Sequence, residues 1–163
     1  MGQLALNGTV ETVPQREMNN WYDPASRNHP FNTYELPAPV LLDAASRGIW
    51  IANDFCHTAA HIISDAPEPV WAYVKDITTQ LAPSTRLIHA GFVVPPYNGT
   101  DFHSTFTHPL FETSAAVPNT LQTIELLKLF DNRDDVYLLA EPARDHVENY
   151  FFLQKLLAEA SKM

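Results

Sequence analysis

The stretch Gly48-Ile49-Trp50-Ile51-Ala52-Asn53-Asp54-Phe55-Cys56-His57 decides how the fold is read. Its first half is apolar or small, with β-branched and aromatic side chains, and predicts a buried strand. That strand runs straight into Asn53-Asp54 and then Phe55-Cys56-His57. A buried strand holds the residues at its carboxyl end rigidly, and α/β folds place their chemistry there. Upstream, Val40-Leu41-Leu42 reads as a partner strand across a turn at Ala44 to Arg47.

Downstream, the pattern alternates between helix and strand. His57 to Ile63 predicts a short helix, and Pro67-Glu68-Pro69 opens a longer one, since proline is tolerated in a first turn. Val70, Val74, Ile77 and Leu81 recur at helical spacing and bury one stripe, which Pro83-Ser84 ends. Leu87 to Val94 reads as a strand stopped by Pro95-Pro96, and Tyr97 to Phe111 as a loop or ragged strand. Thr120 to Phe130 is a helix, Asp131 to Asp135 a polar turn, and Val136 to Ala140 a buried strand.

Arg144 to Lys162 is the last helix. Glu148, Lys155, Glu159 and Lys162 make one narrow polar stripe, while Val147, Tyr150, Phe151, Leu153, Leu156 and Leu157 cover most of the rest. A helix of that kind is expected to be buried on more than one side, within the domain or against another subunit. Residues 1–38 are punctuated by Pro14, Pro24, Pro30 and Pro37 and read as an irregular arm. Trp21, Tyr22, Phe31 and Tyr34 suit an arm laid over the core or over a partner. The chain thus divides into an arm, 1–38, and an α/β domain, 39–163.

Composition narrows the functions. A chain of 163 residues suits one domain, and 45% hydrophobic residues suffice for its core. A formal charge of -9 repels phosphate backbones and anionic membrane surfaces, so neither nucleic acid nor membrane is an expected partner. Cys56 is the single cysteine, which excludes a disulfide framework and a cysteine-based zinc cluster. Met1 to Glu17 lacks the basic start and apolar centre of a secretory signal, so the expectation is cytoplasmic.

The candidate chemistry gathers in two places. Asp54, at the strand end, suits a general base, a metal ligand, or the N-cap of the helix that follows. His57 and His61 stand four apart, a spacing that stacks two imidazoles on one helix face and can hold a transition metal. The competing reading is one buried, hydrogen-bonded histidine and one exposed. Asp101, His103 and His108 share a loop with Tyr97, as an acid/base set or as an ordinary polar surface. His89 lies within an apolar strand and reads first as a satisfied core histidine. Trp50, Phe55 and Phe92 are candidate apolar walls, with His61 and His89 beside them as substrate-binding groups. Cys56 beside His57 does not make a nucleophile pair, because adjacent strand residues point apart. Neither a glycine-rich phosphate loop nor a Gly-x-Ser-x-Gly elbow occurs.

Two segments, in order, resemble the C-terminal half of the metallo-β-lactamase-fold hydrolases, particularly the fungal members. Residues 48–57 are similar to that family's buried strand ending in Gly-Asp, whose aspartate bridges two metals. Residues 120–140, TLQTIELLKLFDNRDDVYLLA, are similar to its helix, aspartate-rich turn and final strand. Leu87-Ile88-His89 occupies a similar place to an intervening strand, and the resemblance covers roughly residues 38 to 145. It implies half of an αββα sandwich, one mixed sheet covered by helices and completed by a homodimer.

The departures are as informative. The family's His-x-His-x-Asp-His loop is missing, no histidine falls at Leu36 to Pro39, and Ala140-Glu141-Pro142 replaces the closing Ala-His-Asp. Only Asp54 survives as a ligand match, so no metal and no cofactor are expected. The leading expectation is a metal-independent enzyme of secondary-metabolite biosynthesis, acting on an apolar small molecule by general acid/base catalysis. Isomerisation, cyclisation, dehydration and hydrolysis stay open. His57 and Asp54 form one acid/base unit, and Asp101, His103 and Tyr97 the second. A non-catalytic binding or partner subunit is the alternative, and a mononuclear metal hydrolase using Asp54, His57 and His61 the third.

Overall fold

The computed structural model describes residues 9–11, 38–99, 102–140 and 142–162. Its strands are β1 (Thr9–Glu11), β2 (Trp50–Asp54), β3 (Thr85–Ala90) and β4 (Tyr137–Ala140). Its helices are α1 (Ala38–Ser46), α2 (Phe55–Ala60), α3 (Pro67–Leu81), α4 (Thr120–Leu127) and α5 (His146–Ala160). The strands form one sheet in the order β1-β2-β3-β4, parallel at every pairing. The α/β expectation stands, and the mixed sheet does not. Every described strand returns through a helical crossover, and that connection yields parallel neighbours.

Strand alternation sorts the sheet into two faces. Ile51, Asn53, Ile88 and Ala90 are buried on one, where Asn53 pairs with Ile88 and Ile88 with Leu138. Leu41 of α1 with Ile77 and Leu81 of α3 packs on Ile51. Val70 and Val74 of α3, Ile124 and Leu127 of α4, and Leu153 and Leu156 of α5 join Ile88 and Ala90 in a larger cluster. The opposite face carries Leu87, Tyr137 and Leu139, the last two 76% and 45% exposed, and it bears Asp54 and His89 at its carboxyl end.

The predicted stripe of Val70, Val74, Ile77 and Leu81 is buried along α3 as its spacing requires. Thr120 to Phe130 is helical throughout, its last turn tightened to 3-10, and a capping box of Asn119 and Gln122 starts it. Two readings fail. Val40-Leu41-Leu42 is helix rather than strand, because a short apolar run does not tell a buried strand from one face of a helix. Ala44 and Ala45 extend that helix to a turn at Arg47-Gly48, where Gly48 takes φ +80°. Within the arm, Thr9–Glu11 is a strand on β2, and the rest of the arm lies outside the described residues. No helix among the described residues is long and apolar enough to cross a membrane.

The aspartate-rich turn before β4 works as a clamp. Arg133 donates from Nη1 to the Ala82 carbonyl at 3.2 Å and from Nη2 to that of Thr85 at 3.1 Å, and its Nε meets Asp135 at 2.6 Å. Asp135 also pairs with Arg86, whose guanidinium lies 3.5 Å over the Trp50 ring. The Arg133 hydrogen bond, and then the charges of Arg133 and Arg86, hold the Asp135 carboxyl below its ordinary value. A depressed carboxylate contributes stability above its unfolded value, near 4, and loses it as pH falls through the folded value. Asp135→Asn is therefore expected to lower Tm at neutral pH, with the gap to wild type closing below about pH 4. Thermal melts across that range test this, and a gap that widens in acid contradicts it.

Candidate active site

Asp54 closes β2 and caps the helix that follows, one of the three roles its position suggested. Its Oδ1 accepts the His57 backbone N–H at 2.8 Å, the N-cap bond that starts α2. Its Oδ2 lies 3.4 Å from Nδ1 of His57 and 3.4 Å from Nδ1 of His89. The second contact follows from the parallel register, in which Asp54 and His89 are direct partners. The carboxylate side chain is 4% exposed and the two imidazoles little more, so solvent screens this trio weakly.

The loop between β3 and α4 completes the site. His103 sets its ring edge-on to His57, centroids 6.1 Å apart. Asp54, His89 and His103 line one small cleft with Cys56, Gly91 and Phe102, at the carboxyl ends of β2 and β3. The free space in it is about 10 Å³, room for roughly one water molecule. Cys56 is tied to the loop, its Sγ accepting the Phe102 N–H at 3.4 Å and approaching the Phe102 carbonyl at 3.8 Å.

Three anchors hold that loop. An aromatic cluster surrounds the fully buried Phe92, with Phe111 at 4.8 Å, Phe102 at 5.6 Å and Phe106 at 6.3 Å between centroids. Asn149 of α5 accepts the Phe106 N–H at 2.7 Å, and Ala143 donates to the His103 carbonyl at 3.1 Å. Gly91 is the tightest point. A β-carbon there would sit 2.9 Å from Cβ of Cys56, closer than real contacts allow. Gly91→Ala is expected to destabilise by about 1–3 kcal/mol through overpacking. Cys56→Gly in the same chain should recover part of that loss, measured by denaturant unfolding of the double-mutant cycle.

The remaining predicted residues fall elsewhere. His61, at the C-cap of α2, packs its ring 6.3 Å from Tyr73 of α3 and does not line the cleft. Tyr97 donates its hydroxyl to the Ala115 carbonyl at 2.7 Å, and burial, with the Glu68 charge adding, raises its phenol above the ordinary value. That tyrosine holds a loop and is a poor proton acceptor near neutrality. Trp50 lies at the amino end of β2, four residues from Asp54, under Arg86 and away from the cleft. Phe55 and Phe92 are completely buried and support the cleft from behind. His108 sits against Phe102, its Nδ1 accepting the Leu110 N–H at 3.2 Å. Asp101 lies outside the described residues.

His89 is the residue whose role the sequence understated. Its signal was positional, a histidine inside the strand that next follows the one ending in Asp54. As to metals, among the described residues no three His, Cys, Asp or Glu side chains form a group that could hold an ion. The donors there do not fit a dinuclear centre, and Asp54, His57 and His61 do not make a mononuclear one. No protein-family model matches this chain, and neither a curated protein nor a solved structure does.

Proposed function

We propose that the chain is a small metal-independent enzyme that acts on an apolar small metabolite by general acid/base catalysis. One observation carries this reading: a single buried carboxylate oxygen, Asp54 Oδ2, lies 3.4 Å from both Nδ1 of His57 and Nδ1 of His89. A carboxylate on one imidazole nitrogen orients the ring and raises the basicity of the other nitrogen, the positioning that proton transfer needs. His89 and His103 line a cleft with room for about one water molecule, so they meet a substrate bound across its mouth, and Asp54 and His57 position them. Phe102 supplies an apolar wall. The same reading takes the chain as one half of an αββα sandwich descended from a metallo-hydrolase, retaining its strand-end aspartate and working in secondary metabolism.

The test is to incubate the protein with an organic extract of the producing cells and follow every species by mass spectrometry. A metabolite consumed without change of mass marks isomerisation or cyclisation, and a change by one water marks dehydration or hydrolysis. The rate should turn over between about pH 5 and 8, where imidazoles titrate. Retention of a metabolite without turnover would instead support a binding module.

A further inference from the structure

Helix α5 carries a second apolar stripe that the described residues of its own chain leave open. Asn149, Leu153, Leu156 and Ala160 face inward, whereas Val147, Tyr150, Phe151 and Leu157 are 64%, 56%, 57% and 45% exposed. At 3.6 residues per turn these four share the outward side of the helix with Gln154 and Ala158. The expectation of burial on more than one side is thus unmet within the described residues of one chain. Charges on one flank of this stripe are Glu148, Lys155 and Glu159.

We propose that α5 is a self-docking surface, on which a second copy of this chain seats its own α5 antiparallel about a two-fold axis passing between Phe151 and Phe152. The charge pattern selects this occupant and this direction. In an antiparallel two-fold pair, each flank of the helix faces the same flank of its twin. Glu148 and Lys155 are equidistant from the axis. Each therefore meets its opposite on the twin, at two symmetric places. A parallel two-fold pair would set this flank against the opposite flank of its twin, and Glu148 would not meet Lys155. Glu148 and Lys155 make no ion pair among the described residues, so both are available.

A contact of one helix, about 22 Å long, is smaller than a standard interface, so the dimer should be reversible at micromolar concentration. This surface is independent of the cleft and of the chemistry proposed there.

Sedimentation equilibrium of the full chain tests the proposal, with far-ultraviolet circular dichroism to confirm that each variant is folded. Wild type should be a dimer at tens of micromolar, and Phe151→Glu a monomer. Glu148→Lys and Lys155→Glu should each weaken association by about tenfold or more, since each turns two attractions into two repulsions. The double variant Glu148→Lys/Lys155→Glu restores opposite charges across the axis and should return close to wild-type affinity. A wild-type monomer, or a dimer indifferent to Phe151→Glu, overturns the surface. A double variant no better than the singles overturns the antiparallel arrangement, and the proposal with it. These side chains are exposed, so their replacement spares the core, and the single and double charge variants differ in nothing but pairing.

Discussion

Phe92→Ala is expected to lower the unfolding free energy by about 3–5 kcal/mol, the usual cost of deleting a fully buried phenyl ring. The position is chosen for what the ring holds together. Phe92 follows Gly91 directly after β3, is completely buried, and meets Phe102, Phe106, Phe111 and the His108 ring. Removing it strips one partner from each of those side chains and leaves a cavity that a rigid loop does not refill. The loss should exceed that of Phe102→Ala, because Phe102 is only partly buried and surrenders less apolar area. Chemical denaturation of the two variants checks the order. Equal losses would mean that the cluster collapses around the smaller residue.

The second large effect is on rate. Asp54→Asn should reduce turnover of the cognate metabolite by about a hundredfold or more, the scale for a lost acid or base group. The substitution keeps size and an oxygen for the His57 N–H, so the N-cap and the start of α2 survive. What disappears is the negative charge between two imidazoles 3.4 Å away on either side. Without it, neither ring has an ionised partner to hold its orientation. Asp54→Ala should in addition destabilise by about 1 kcal/mol through the lost cap. A fully active Asp54→Asn enzyme would remove the carboxylate from the mechanism and leave it a capping role alone.

Much of the fold could be read along the chain, because its long elements obey one period at a time. The stripe from Val70 to Leu81 and the Thr120 helix have clear starts and stops, and both lie where predicted. The short Val40-Leu41-Leu42 run was ambiguous by nature, and three residues of strand at Thr9–Glu11 leave too little pattern to see. Parallel pairing throughout goes against both the hairpin reading of Val40-Leu41-Leu42 and the mixed sheet that the resemblance implies, and follows from the helices between the described strands. At the site, Asp54 was legible because it ends a strand. Its second neighbour, His89, was not, since register between strands is a tertiary fact that local pattern does not carry. Tyr97 and His61 are built like catalytic groups but are engaged elsewhere, Tyr97 with the Ala115 carbonyl and His61 with the Tyr73 ring.

The anchors on the His103 loop bear on how the protein is made. Synthesis delivers Asp54 and His89 early, on adjacent strands that can pair once residue 90 has left the ribosome. His103 follows soon after, but its loop is fastened by Ala143 and by Asn149 on the final helix. A nascent chain that stops short of Asn149 holds its carboxylate between His57 and His89 and lacks a fixed position for His103. The cluster around Asp54 is therefore completed last, once most of the chain has been translated.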